Sequence, residues 1–182
     1  MTSPQLTVAC ILERHYGFDL EATLEAAGFD EDNVSFVKPV DPAEGVVASA
    51  LSPADRAWAA QHVDAWRRCE ATDVPMLIFQ SDVAFASSGV LEATKALLAS
   101  ADACEVLYLG AAAPFIAELA PAAGHALLPA QSATQTAAYV LWPAAARHLL
   151  ESLPVDAPVL SFLDKRVAGL KLAASPAIAI SI

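Results

Sequence analysis

Glycine supplies only 7 of the 182 residues, and no glycines gather into a phosphate-cradling loop or flank a serine in a nucleophile elbow. Basic residues are also few, 10 Lys and Arg against 21 Asp and Glu, for a formal charge of −11. The arginines are scattered rather than striped, which argues against a nucleic-acid surface, since phosphate backbones are met by basic stripes. The three cysteines, Cys10, Cys69 and Cys104, have no metal-type spacing, and each falls in an apolar strand or on an apolar helix stripe. Buried free thiols in a reducing compartment are expected. His15, His125 and His148 form no zinc-type spacing either. Long apolar runs are missing. Residues 8–12 lead straight into Glu13-Arg14-His15, so no signal peptide is read there, and residues 106–130 are interrupted by Pro114, Glu118, Pro121, Gly124 and Pro129, which speaks against a bilayer span. A cytoplasmic protein without a transmembrane segment is expected.

What the chain does have is apolar content: 56% hydrophobic residues and a mean hydropathy of +0.46. This suits one compact domain over residues 1–182 with a substantial core, and neither an internal repeat nor a linker divides it. The most informative stretch runs from Leu51 to Val83. Ser52 is a good N-cap, Pro53 fits the first helical position and Asp55 stands three residues after the cap, so a helix opens there as in a capping box. Trp58, His62, Ala65, Trp66 and Cys69 recur at helical spacing and give that helix one aromatic, apolar face. After the polar break at residues 70–73, residues 74–79 read as a buried strand, with Gln80-Ser81-Asp82 at its carboxyl end. In open α/β sheets that end faces the ligand crevice.

Strands are expected at residues 6–12, 34–37, 104–109 and 136–142, and helices near 19–27, 89–100 and from Pro143 to a point before Pro154. The Ala/Pro-rich residues 111–130 read as a loop with short helical pieces. Alternating strands and helices predict an α/β fold with a mainly parallel, Rossmann-like sheet covered by helices on both faces.

The segment LSPADRAWAAQHVDAW resembles the Leu-Thr-x-Gly-Glu-x-Gly-Cys-x-x-Ser-His-x-x-x-Trp segment of glycosyltransferase family 25, which includes lipopolysaccharide sugar transferases and collagen galactosyltransferases. Leu51, His62 and Trp66 match without a gap, Ser52 and Asp55 are conservative, and Ala54, Ala57, Trp58 and Gln61 depart. The family's next strand ends in Leu-Glu-Asp-Asp-Val, where this chain has Phe79-Gln80-Ser81-Asp82-Val83 and keeps only the last acid. Leu12-Glu13-Arg14 is similar to the family's Leu-Asp-Arg turn, and Val40-Asp41 falls where an aspartate often follows its second strand. Val106-Leu107-Tyr108-Leu109-Gly110, Thr136-Ala137-Ala138-Tyr139-Val140 and Leu153-Pro154-Val155-Asp156 extend the resemblance over most of the chain, with Leu160 where the family often carries a further aspartate.

The resemblance implies a GT-A-like fold and transfer of a hexose from a nucleotide-sugar donor to a hydroxyl acceptor. It assigns Asp82 to a Mn²⁺ or Mg²⁺ ion, Asp82 and Asp156 to catalysis, and Glu13, Arg14, Asp41, His62, Gln80 and Ser81 to substrate binding. A sugar nucleotide is anionic, so an acidic protein binding one needs a metal ion or a local group of cations. Because Gln80 and Ser81 supply neutral oxygens, weakened metal binding is expected. The residues leave plainer readings open. Asp82 and Asp156 also suit turns, Glu13 and Arg14 a solvated turn, His62 a hydrogen-bonded core, and Trp58 and Trp66 simple packing. A non-catalytic relative that binds a ligand or partner is therefore the alternative to a working transferase.

Overall fold

The computed structural model describes residues 5–12, 20–85, 89–101, 104–111, 126–130, 137–175 and 179–181. Its main sheet has seven strands: β1 (Thr7–Ile11), β2 (Val34–Val37), β3 (Met76–Gln80), β5 (Cys104–Tyr108), β7 (Ala126–Pro129), β8 (Ala138–Leu141) and β9 (Leu170–Ser175). They are ordered β2-β1-β3-β8-β5-β9-β7. Parallel pairing joins β1 to β2, β1 to β3 and β5 to β9, whereas β8 is antiparallel to both β3 and β5 and β7 is antiparallel to β9. The chain is thus α/β with a mixed sheet in which β7 and β8 run against the other five strands. A second sheet, ordered β4-β10-β6, is made of β4 (Val83–Phe85), β6 (Gly110–Ala111) and β10 (Ala179–Ser181).

Helices cover both faces, as the alternation predicted. On one face α1 (Leu20–Ala27) and α3 (Val90–Leu98) pack Leu24, Ala27, Val90, Ala93 and Leu97 against Val8, Cys10, Leu77 and Phe79. On the other, α2 (Pro53–Glu70), α4 (Pro143–Glu151) and α5 (Val159–Arg166) pack Ala59, Val63, Trp66, Ala146, Leu149 and Phe162 against Ala9, Ile11, Ile78, Tyr108 and Tyr139. Residues 76–80 are all buried, because helices cover β3 above and below.

Local chemistry sets the ends of these elements. Ser52 caps α2 as expected: its Oγ accepts from the Asp55 N–H at 3.1 Å and donates to Asp55 Oδ2 at 2.6 Å, with Pro53 in the first turn. Gly28 ends α1 in the left-handed conformation at φ 84°, which lets Gly28 N–H reach Glu25 O and Phe29 N–H reach Leu24 O. That pair of bonds is a Schellman stop, and Phe29 and Leu24 are both buried in the same core.

Several expectations are corrected. The strand at 136–142 runs antiparallel rather than with its neighbours, and α5, β9 and β10 occupy a stretch for which no elements were read. The region 111–130, read as a loop, contributes β6 and β7 to the two sheets; residues 112–125 lie outside the described ones.

Trp66 is fully buried and stacks on Phe162, with ring centroids 5.9 Å apart and an interplanar angle of 11°. Trp66→Ala removes that packing and should destabilise the fold by about 3–5 kcal/mol in chemical denaturation. A loss below about 1 kcal/mol would contradict the burial.

Candidate functional site

The order β2-β1-β3 contains a reversal. From β1 the chain passes through α1 to β2 on one side, then returns through α2 to β3 on the other, with α1 and α2 on opposite faces of the sheet. The carboxyl ends of β1 and β2 therefore lead into helices on opposite faces, whereas β3 leads through β4 to α3 on the face of α1; in open α/β sheets ligands bind outside the carboxyl ends of the strands, where the strand order reverses. Asp82 lies two residues past the last residue of β3, in the turn that leads into β4.

The second sheet is built from chain that continues beyond this same end. β4 follows β3 after Ser81 and Asp82, and β6 follows β5 after Leu109. With β10 between them, they form a ledge beside the turn at Asp82. The sequence reading missed this ledge because strands of two and three residues carry no usable periodicity.

Backbone bonds brace the strand ends: Ser81 N–H donates to Ile11 O at 2.9 Å, Leu12 N–H to Val37 O at 3.0 Å and Gln80 N–H to Ala137 O at 2.9 Å. Gln61, which departs from the family segment, completes the brace. Its buried amide Nε2 donates to Leu12 O at 2.8 Å and to Val37 O at 3.3 Å, joining α2 to the ends of β1 and β2. Removing that amide would take a donor from the buried Leu12 O, at a cost of roughly 1–3 kcal/mol, while Val37 O would keep its bond from Leu12 N–H. Only the burial of position 61 makes its amide informative, and burial is not visible in a helix of alternating polarity.

The expected site residues do not all gather. Gln80 and Ser81 are buried at the end of β3, whereas Asp82 is partly exposed. The Asp82 charge is felt by Cys10 on the neighbouring strand, whose thiol is pushed up to about 12 by burial first and by Asp82 second. Asp41 is exposed on the connection that follows β2. Asp156 is exposed and 3.5 Å from Arg166 Nη2; the adjoining Val155 pairs with residues 46–48, which lead into α2 at the same end of the sheet. Glu13 and Arg14 lie outside the described residues.

His62 belongs to the core. It has no exposed surface, its ring stacks on Tyr139 with centroids 5.8 Å apart, and Nδ1 lies 2.8 Å from Tyr139 Oη. Trp66 Nε1–H donates to the same oxygen at 3.0 Å. His62 Nδ1 and Tyr139 Oη share a hydrogen bond whose donor depends on the imidazole tautomer, and the buried Nε2 has no hydrogen-bond partner among the described residues. Burial pushes the His62 pKa down to about 3. The substrate-contact reading of His62 is replaced by a structural one.

Metal chemistry has limited support from protein donors. Among the described residues no group of three or more His, Cys, Asp or Glu side chains could hold a metal ion. Asp82 offers one carboxylate beside the neutral Gln80 and Ser81, which suits a hard cation that arrives already held by phosphate oxygens better than one caged by protein. The cysteine thiols are buried and raised by burial, Cys69 to about 12 and Cys104 to about 11, which leaves them protonated and inert. Among the described residues, no helix is long and apolar enough to cross a membrane.

Fold and site together define an α/β protein with its candidate crevice at the carboxyl end of a reversing sheet. Comparison with known proteins adds no assignment, since neither a protein-family model nor a curated protein matches the chain.

The neutral His62 makes stability depend on pH. Its folded pKa lies below the unfolded value of 6.5, so the unfolded chain takes up the proton first. The stabilisation is present above pH 6.5 and is lost as pH falls toward 3. In denaturant titrations at pH 7, 5.5 and 4.5, the wild-type advantage over His62→Gln should shrink by up to about 1.4 kcal/mol per pH unit below 6.5. A constant difference would place His62 outside the core.

Proposed function

We propose that the protein binds a nucleotide sugar at the carboxyl end of β1 and β3 and transfers the hexose to a hydroxyl acceptor. The observation that carries this reading is the position of Asp82, just past a central strand and beside the reversal of the sheet. The resemblance of residues 51–66 and 79–83 to glycosyltransferase family 25 supplies the substrate class.

In this reading Asp82 would hold a Mn²⁺ or Mg²⁺ ion arriving with the donor diphosphate, and such an ion would supply positive charge to offset the negative charge on the leaving group. Gln80 and Ser81 shape the wall behind Asp82 with neutral, buried groups. Asp156, on the same side of the sheet, is the second acid. The acceptor oxygen bonds to the anomeric carbon as the bond from that carbon to the diphosphate breaks, the nucleoside diphosphate leaves, and the hydroxyl proton passes to a carboxylate or to water.

The neutral oxygens at positions 80 and 81 favour a second reading, a non-catalytic relative that keeps the crevice and binds a ligand without turning it over. Calorimetric titration with a panel of nucleotide sugars and Mn²⁺ separates the two. For a working transferase, Asp82→Ala should lower the affinity at least tenfold, and the double change Gln80→Glu with Ser81→Asp should raise it by adding anionic donors for a hard cation. Binding only by the double variant would identify a protein that has lost the activity. Binding by the natural chain that ignores Asp82→Ala would refute the proposed site.

A further inference from the structure

A cavity of about 590 Å³ opens at the opposite end of the sheet, where the lining includes the first residues of β1, β2 and β3: Thr7, Val34 and Met76. Met76 and Asp82 lie at opposite ends of β3, whose extended backbone from Met76 to Gln80 spans about 13 Å, so this cavity is separate from the crevice at Asp82. Its volume falls in the range that encloses small organic ligands.

We propose that this cavity is a second binding site, for a small organic acid with a compact apolar body and one anionic group. Phe29, Val34, Met76 and Leu91 provide apolar walls that a polyphosphate or a sugar would not match. Arg68 and Lys95 also line it, two of the chain's ten basic residues. They differ in what they have left to give. Arg68 has its charge paired with Asp64, Nη2 donating to Asp64 Oδ2 while Nη1 donates to Ser35 Oγ and Phe36 O. Lys95 Nζ has one acceptor, Glu92 Oε1 at 2.8 Å, and that carboxylate is 74% exposed. A surface pair of this kind contributes little and is readily exchanged. An ammonium has three donors, so Lys95 can meet a ligand anion at the cavity wall. Asp30, the acid in the lining, is occupied as the cap of the 3-10 turn Glu31–Asn33, accepting from Asp32 N–H and Asn33 Nδ2. One cation paired with an exposed, exchangeable carboxylate, beside apolar walls, selects a monoanion.

The test uses 2-naphthoate as probe, its uncharged carboxamide as control, and titration by calorimetry on the full chain. The natural protein should bind naphthoate saturably with a Kd below about 1 mM, and the carboxamide at least tenfold more weakly. Leu91→Trp, which fills the cavity, should abolish binding. Lys95→Gln, a surface change that leaves the core alone, should weaken naphthoate about tenfold without affecting the carboxamide. Asp82→Ala, at the far end of the sheet, should leave naphthoate binding unchanged, which keeps this site independent of the proposed transferase site. Absence of saturable binding, equal affinity for the carboxamide, or binding insensitive to Lys95→Gln would each overturn the proposal. Circular dichroism establishes that Leu91→Trp is folded; if it is not, the lysine variant and the carboxamide decide the outcome.

Discussion

The hydroxyl of Tyr139 is the group on which the arrangement depends. It lies on β8, between β3 and β5, and it is held by two side chains of α2: Trp66 donates to it, and His62 lies within hydrogen-bonding distance at Nδ1. Each bond contributes only about 0.5–1.5 kcal/mol net, but leaving the hydroxyl buried without partners would cost more than either bond provides. The constraint therefore acts as specificity. It sets where α2 lies over the sheet, and α2 in turn carries Gln61 to the ends of β1 and β2. From one tyrosine on a reversed strand, the positions of the strand ends around Asp82 follow.

The two ends of the sheet offer different chemistry. At the carboxyl end, polar groups gather where the chain leaves the ladder, and β4, β6 and β10 build a ledge beside Asp82. One acid there, beside buried neutral Gln80 and Ser81, avoids the repulsion that three neighbouring carboxylates would suffer without a cation. The same choice lowers the affinity for a hard cation, since fewer anionic oxygens are available to it. At the amino end, apolar side chains line much of the cavity, and of its charged residues Lys95 is the one paired with a well-exposed carboxylate, that of Glu92. These differences follow from backbone polarity and helix placement more than from net charge.

Much of the fold was legible because the relevant interactions are local. The cap at Ser52 and Asp55, the first-turn Pro53, the buried run read at residues 74–79 and found at Met76–Gln80, and the helical spacing of Ala65, Trp66 and Cys69 each depend on residues within a turn or two of one another. The buried thiols were readable too, since Cys10, Cys69 and Cys104 sit within apolar stretches. The candidate site was legible only as a position: Asp82 at a strand end. Its neighbours were not. Gln61 looked like one polar residue among several on α2, and the shared stripe of Trp58, His62 and Trp66 did not distinguish a substrate contact from a core histidine.

By itself the sequence determined the capped start of α2, the strand that delivers Asp82, the neutral character of the two residues before it and the apolar face of α2. Tertiary structure alone decided that β8 runs against its neighbours, that short segments after β3 and β5 join in a second sheet, and that His62 is held neutral under α2 while Asp82 stays partly open. The reason is range. Capping and periodicity act over one to four residues, whereas strand direction, the pairing of Tyr139 with His62 across 77 positions and the desolvation that sets a pKa depend on chain brought together from far apart.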